Sequence, residues 1–211
     1  MDKGLVLENV SISQGAETLL QVDHRICPGE VLTIMGPSGS GKSTLLSFLT
    51  GTMAADFRAT GRVLLDGHDI TNAPPHARRI GILFQDDLLF PHMSVGANLA
   101  FGLARGGTKA ERVARVDEAL AEVGLEGFAD RDPATLSGGQ KARVSLMRML
   151  LSEPCALLLD EPFSRLDAAL RAQVREMVFE RARARALPLL MVTHDAEDAA
   201  AAGGQVMRIG D

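Results

Sequence analysis

A glycine-rich loop between a short apolar strand and a helix is the feature that most constrains this chain. The segment "VLTIM" runs into "GPSGSGKSTLL", which has the spacing G-x-x-x-x-G-K-S. Glycines permit a tight loop whose amides wrap phosphates, while the lysine reaches the terminal phosphates and the serine hydroxyl can bind Mg²⁺. A simple Gly-Ser turn would not need that lysine. We therefore predict a phosphate-binding loop composed of Gly36, Pro37, Ser38, Gly39, Ser40, Gly41, Lys42, Ser43 and Thr44.

Such a loop needs a carboxylate that can hold Mg²⁺ with Ser43. The run "CALLLDE" ends in Asp160 and Glu161, and its lack of alternation is typical of a strand that is buried on both faces of a parallel sheet. We predict that Asp160 is the metal ligand and that Glu161 accepts a proton from an attacking water. The alternative, acids at the start of a helix, would leave the loop without its ligand.

Two more polar residues follow apolar strands. Gln85 comes after "GILF", and His194 comes after "LLMVT". In an open parallel sheet, residues just past the carboxyl ends of the strands line the ligand crevice. We therefore expect Gln85 and His194 to join Asp160 and the phosphate loop at one nucleotide site.

The stretch "TLSGGQKAR" places Ser137, Gly138, Gly139 and Gln140 at the start of a helix. One interpretation is a turn that Ser137 caps. The other is an anion site, because a helix start offers free N–H groups and glycines let a phosphate come close. The local sequence leaves both open.

The order of apolar patterns predicts an α/β fold. Early β-like runs with glycine turns indicate an N-terminal antiparallel β subdomain, and the later apolar runs indicate a mostly parallel sheet. A helical pattern lies between them, with Val113, Val116, Leu120 and Val123 on one face and Thr108 as a helix cap. We expect one domain, with an α/β core over 1–85 and 153–211 and a helical subdomain over 86–152.

Composition narrows the functional classes. The 211 residues carry a formal net charge of −5, which gives no general footprint for nucleic acid. We expect a cytoplasmic chain because no apolar run reaches the length of a membrane span and the N-terminus lacks a signal-peptide pattern. The two cysteines, Cys27 and Cys155, indicate neither a metal site nor a disulfide.

Taken in order, "GPSGSGKS", Gln85, "LSGGQ", "CALLLDE", "SRLD" and "THD" resemble the motifs of the ATP-binding cassette (ABC) ATPases over essentially the whole chain. The resemblance implies a P-loop NTPase core of the RecA-like type, ATP and Mg²⁺ as ligands, and a head-to-tail dimer. It implies that Lys42 and Ser43 bind phosphates and Mg²⁺, and that Asp160 and Gln85 face the metal. Glu161 would be the catalytic base, with His194 at the γ-phosphate.

The same resemblance implies that the segment from Ser137 to Gln140 would act in trans on the partner's nucleotide and that Asp167 of "SRLD" would lie at the dimer interface. The segment "FQDDLLFPHMSVGANLAFGL" is similar to the ATPase subunits of bacterial binding-protein-dependent importers. This implies a permease that contacts the region after Gln85, a solute-binding protein, and a place at the cytoplasmic face of the inner membrane. The short chain after His194 resembles cassettes without a regulatory domain.

Three other functions compete with import. A soluble ABC ATPase of DNA repair or ribosome function would carry long coiled coils or a second cassette, which the sequence lacks. An exporter subunit is disfavoured by "FPHMSV", and a small-molecule kinase would not need the signature. Two positions depart from the family: Gln14 stands where an aromatic residue usually stacks on adenine, which leaves ATP against GTP open, and Arg165 stands where a small residue is usual.

Overall fold

The computed structural model describes residues 3–210. The strands are β1 (Leu5–Gln14), β2 (Glu17–Ile26), β3 (Val31–Met35), β4 (Phe57–Leu65), β5 (His68–Asp69), β6 (Ile80–Leu83), β7 (Ala156–Asp160), β8 (Leu189–Thr193) and β9 (Gln205–Arg208). The α-helices are α1 (Lys42–Thr50), α2 (Val95–Gly102), α3 (Lys109–Glu122), α4 (Gly138–Leu150), α5 (Ala168–Ala184) and α6 (Ala196–Ala202).

An antiparallel sheet has the strand order β2-β1-β4-β5. Strand β1 alternates between the core and solvent, as expected for a sheet with one covered face. The pairing shifts between Leu7 and Val10, where Asn9 has a φ of 48°. This irregularity resets the alternation, so that Leu7 and Val10 are both completely buried despite their odd spacing.

A five-stranded sheet has the order β6-β7-β8-β3-β9. Strand β3 pairs in parallel with β8 and β9, and β7 pairs in parallel with β8. All five residues of β3 and of β8 are buried, which explains their uninterrupted apolar sequences. The register sets Met35 beside Thr193 and Asp160 beside Val192, so the carboxyl ends of β3, β8 and β7 lie together.

The predicted α/β class, with a parallel sheet and a separate antiparallel sheet, is confirmed. The chain divides into two compact units. The α/β unit contains residues 1–82, 155–161 and 175–211, and the helical unit contains residues 83–154 and 162–174. The assignment of 86–152 as a separate subdomain stays a prediction. In the part of the chain from 3 to 210, no helix has the length and apolar character to cross a membrane.

Helix α3 shows how far the pattern prediction holds. Thr108 caps the helix and exchanges hydrogen bonds with Glu111, which confirms the predicted cap. Of the predicted apolar face, Val116, Leu120 and Val123 are buried. Val113 on the same face is 51% exposed, because it lines an open groove between α2 and α3.

Candidate active site

The phosphate loop depends on close backbone approach at its glycines. Gly41 has a φ of 85° and precedes the first residue of α1. A Cβ at Gly41 would lie 3.0 Å from the Cβ of Leu19, and one at Gly36 would lie 2.7 Å from the carbonyl oxygen of Ile209. Side chains at either position would push the loop away from the strands that support it. The loop can therefore hold its tight path only with glycines there.

Lys42 opens helix α1 and turns back over the loop. Its side chain is 6% exposed, and Nζ donates to the carbonyl oxygens of Gly36 at 2.7 Å and Pro37 at 2.6 Å. These bonds hold the ammonium group at the mouth of the loop. An ammonium group has three protons, so Lys42 can also donate to an oxyanion at this position.

Ser43 and Asp160 meet although they lie 117 residues apart. The Ser43 hydroxyl donates to Oδ1 of Asp160 at 3.1 Å, because α1 starts next to the carboxyl end of β7. Burial is the largest influence on the pKa of Asp160 and raises it, and the negative charge of Glu161 raises it further. The hydrogen bond from Ser43 and the positive charge of Lys42 act in the opposite direction and lower the pKa. The net effect is a raised pKa: burial disfavours the charged carboxylate, and a bound cation would offset that cost.

This pair fits Mg²⁺. A hydroxyl and a carboxylate are hard oxygen donors, and Mg²⁺ is usually held by one or two carboxylates together with substrate phosphates and water. No group of three or more His, Cys, Asp or Glu side chains forms a metal cage among residues 3–210. A site that takes its remaining ligands from phosphate oxygens agrees with both observations.

Glu161 and His194 form a second polar pair. Nδ1 of His194 lies 3.1 Å from Oε2 of Glu161. The His194 side chain is 63% exposed and the Glu161 side chain is 23% exposed, so the pair faces solvent through the histidine. Glu161 has a φ of 45°, and its N–H donates to the Val192 carbonyl oxygen at 3.0 Å, which holds this unusual backbone in place. Strained backbone of this kind is concentrated at functional sites.

The α/β unit thus contains the phosphate loop, Asp160, Glu161 and His194. The other predicted residues lie in the helical unit: Gln85, the segment Ser137 to Gln140, and Asp167. Gln85 is exposed two residues after β6. Asp167 accepts a hydrogen bond from the Leu170 amide at 3.1 Å and so caps the start of α5.

The segment from Ser137 to Gln140 is a capped helix start. The Ser137 side chain accepts from the Gln140 amide at 3.3 Å, and the Gln140 side chain accepts from the Ser137 amide at 2.9 Å. The two glycines differ: a Cβ at Gly138 would meet nothing within 4 Å, whereas one at Gly139 would lie 2.4 Å from Leu170. The cap is therefore present, and the exposed side of Gly138 is also open to a ligand.

Sequence reasoning missed two buried polar residues that support these segments. Arg78, 5% exposed, donates to four carbonyl oxygens, two of which, from Phe48 and Leu49, belong to the end of α1. Asn98 is fully buried, and its side-chain amide accepts a hydrogen bond from the Phe90 N–H through Oδ1 and donates one to the Phe90 carbonyl oxygen through Nδ2. Neither position carries a signal in its immediate sequence, because these partners lie between 5 and 30 residues earlier in the chain.

Comparison with known proteins gives consistent matches. A family model described as "ABC transporter" matches residues 19–164. The uncharacterized ABC transporter ATP-binding protein YnjD of Escherichia coli (strain K12) is 50% identical over 195 residues, covering 92% of this chain and 90% of that protein. The thiamine import ATP-binding protein ThiQ of Jannaschia sp. is 44% identical over 210 residues, covering 98% of this chain and 89% of that protein.

A longer relative matches over part of its length. The sulfate/thiosulfate import ATP-binding protein CysA of Caulobacter vibrioides is 47% identical over 186 residues. The match covers 86% of this chain and 54% of that protein, so the chain spans about half the length of this relative.

Proposed function

This chain belongs to the ABC transporter family, and from that premise we propose that it hydrolyses ATP to drive a membrane importer of a small solute. The observation that carries the proposal is the convergence of three strand ends: Lys42 and Ser43 after β3, Asp160 and Glu161 at β7, and His194 after β8. Together, these side chains can supply phosphate binding, metal binding and a catalytic base at one edge of the sheet.

Hydrolysis follows from the roles of these side chains. The loop amides and Lys42 hold the phosphate chain, and Ser43 and Asp160 would hold Mg²⁺, which neutralises charge on the phosphates when bound. Glu161 takes a proton from a water whose oxygen forms a bond to the γ-phosphorus. The bond between that phosphorus and the bridging oxygen breaks, which leaves ADP and phosphate. His194, which pairs with Glu161, would contact the γ-phosphate.

The helical unit would supply the remaining contacts from a second copy. The exposed Gly138 side and the Ser137 hydroxyl can face an oxyanion at the start of α4. We infer that the site of ATP bound by one subunit is completed by this segment of its partner in a head-to-tail dimer, with Asp167 at the interface. By the family resemblance, Gln85 would face the metal of its own subunit. ATP binding closes the dimer, and hydrolysis reopens it.

A groove in the helical unit is the proposed docking place for a permease. It has a volume of about 670 Å³ and runs between α2 and α3, with Ala97, Ala100, Val113 and Val116 among its lining residues. Phe101, 64% exposed, packs edge-on against Phe90 at 4.8 Å between ring centroids. The groove is lined by residues between 94 and 130, which follow Gln85 in the chain, and it combines apolar side chains with charged ones such as Lys109 and Asp117. Such a lining suits a short amphipathic helix from a membrane partner.

The import direction rests on the relatives. The names of two of them describe import of thiamine and of sulfate or thiosulfate. Because proteins this similar serve such different cargoes, we infer that a permease and a solute-binding protein select the solute. The ATPase would act at the membrane through the permease and deliver only the energy of ATP.

The test is purification of a tagged Glu161→Gln variant from gently solubilised host membranes with ATP present. Loss of the base should reduce turnover by about 10²- to 10⁴-fold and accumulate the ATP-bound dimer. We expect a polytopic membrane protein in stoichiometric amount. Recovery of ribosomes, nucleic acid or only soluble protein would contradict the importer proposal, and near-normal hydrolysis would place the base elsewhere.

A matched variant tests the groove separately. The double variant Glu161→Gln/Val113→Asp adds one charge at an exposed groove position, and its nucleotide site is the same as in the single variant Glu161→Gln. We expect it to bind ATP as tightly as Glu161→Gln but to recover little membrane protein. Equal recovery with both variants would place the permease on another surface.

A further inference from the structure

An ion pair in the helical unit joins two loops that are 79 residues apart. The guanidinium Nη1 of Arg165 donates to Oδ1 of Asp86. Asp86 directly follows Gln85, and Arg165 lies two residues before Asp167. The Arg165 side chain is 61% exposed and the Asp86 side chain is 51% exposed, so water can solvate each charge without the ion pair. The pair therefore links the two loops without being required by the core.

The loop after Gln85 is held from a second side by helix α4. The Ser145 hydroxyl donates to the Asp87 carbonyl oxygen, and Arg148 donates to the carbonyl oxygens of Asp87 at 3.3 Å and Leu88 at 2.9 Å. Leu88 has a φ of 46°, a conformation that non-glycine residues rarely adopt. These bonds fix the backbone just beyond Asp86 to the helix that starts at Gly138.

The segment that carries Arg165 also contacts α4. The Leu166 amide donates to the Phe163 carbonyl oxygen at 3.1 Å, and Asp167 caps the first turn of α5. In that turn Leu170 packs on Gly139, where a Cβ would lie 2.4 Å away. Helix α4 therefore contacts both the loop after Gln85 and the first turn of α5, which follows Arg165 in the chain, and the Arg165–Asp86 pair connects the two loops directly.

Charges near the pair favour this arrangement. Lys141, Arg148 and Arg165 all act on Asp87, which is partly buried beside Asp86. The positive charges of these three side chains attract the Asp87 carboxylate, whereas the negative charge of Asp86 repels it. Arg165 thus offsets part of the repulsion between two adjacent carboxylates, and its removal would leave more of that repulsion in place.

We propose that Arg165 is a positioning residue: its ion pair with Asp86 makes the placement of the loop after Gln85 depend on the placement of the loop that carries Asp167. This inference rests on the proposed function, which gives those two loops their roles in ATP hydrolysis. An exposed ion pair is weak and screened by salt, so it can open and close during each catalytic cycle.

The test is a charge-reversal cycle made of Arg165→Glu, Asp86→Arg and the double variant. Each single change should lower kcat for ATP by about twofold to fivefold, the range expected for an exposed ion pair, and should change KM less. The double variant should recover most of kcat, and Arg165→Lys should retain most of it. Unfolding temperatures should stay near that of the wild type, because the pair is exposed.

Hydrogen exchange of the peptide covering residues 85–89 gives a readout that needs no turnover. Arg165→Glu should speed exchange there, and the double variant should restore it. The matched control is Arg115→Glu/Glu153→Arg with its two single changes, which reverse another exposed ion pair of the helical unit. The control variants should leave kcat and exchange at 85–89 unchanged.

The outcomes separate this inference from the proposed function. Unchanged exchange in Arg165→Glu, or no recovery in the double variant, would overturn the coupling. Altered exchange with unchanged kcat would overturn its role in turnover. If the wild type shows no ATP hydrolysis with or without its membrane partner, the proposed function fails, and the positioning role in hydrolysis falls with it even where the exchange results hold.

Discussion

At the residue scale, the buried Asp160 carboxylate, the proposed Mg²⁺ ligand, destabilises the fold when it is ionised. Burial raises its pKa, so its favourable contribution to folding is complete below the pKa of the unfolded chain and is lost as pH rises through the folded pKa. At neutral pH the ionised group therefore opposes folding until a cation binds. We predict that Asp160→Asn raises the unfolding temperature in EDTA at pH 7. The same change should lower ATP turnover at least tenfold, since even indirect metal partners cost about 10- to 100-fold. Differential scanning fluorimetry and an ATPase assay measure the two effects, and a lower unfolding temperature for Asp160→Asn would contradict the argument.

At the element scale, the start of α4 uses its two glycines differently. Gly139 allows Leu170 of α5 to pack closely, whereas Gly138 faces open space. We predict that Gly139→Ala lowers the free energy of unfolding by about 1–3 kcal/mol, because Leu170 must move. Gly138→Ala should leave stability within about 0.5 kcal/mol of the wild type and reduce ATP turnover, since its Cβ would stand where the amides face a phosphate. Urea denaturation and ATPase assays separate these effects. Leu170→Ala should remove most of the penalty of Gly139→Ala, and an unchanged penalty would mean that the strain lies elsewhere.

At the scale of the whole molecule, the proposed sites are shared between two chains. Lys42→Ala destroys the phosphate loop of a subunit, and Ser137→Arg blocks the segment it offers to its partner. Each variant alone should be inactive. In a mixture, a heterodimer contains one complete site, so activity should recover to about a quarter of wild type when equal amounts pair at random. Sedimentation should first establish that both variants fold and pair with ATP. Failure to recover at any mixing ratio would then argue for sites that lie within a single chain.

Much of the site in the α/β unit was predictable because its signals are local. The phosphate loop is one continuous segment, and Asp160, Glu161 and His194 each directly end or follow a buried strand. Parallel strands bring such ends to one edge without any long-range information beyond the sheet itself. The capped helix starts at Thr108 and Ser137 were likewise readable, since a cap involves residues three apart.

The contacts that sequence reasoning missed join distant segments. Val113 fits the apolar face of α3 by spacing, but its exposure depends on what α2 leaves uncovered. Arg78 reads as one of two arginines before a strand, yet it holds the end of a helix about 30 residues earlier.

The sequence by itself determined which side chains are available for phosphate, metal and proton chemistry. Each motif is a short run, and its spacing and flanking residues indicate its local structure. The tertiary structure decided which of them meet. It placed the Ser43 hydroxyl on Asp160, Glu161 on His194 and Arg165 on Asp86. These contacts depend on how strands pair and helices pack over separations of tens of residues, and packing energies of that kind are properties of the folded chain rather than of any segment.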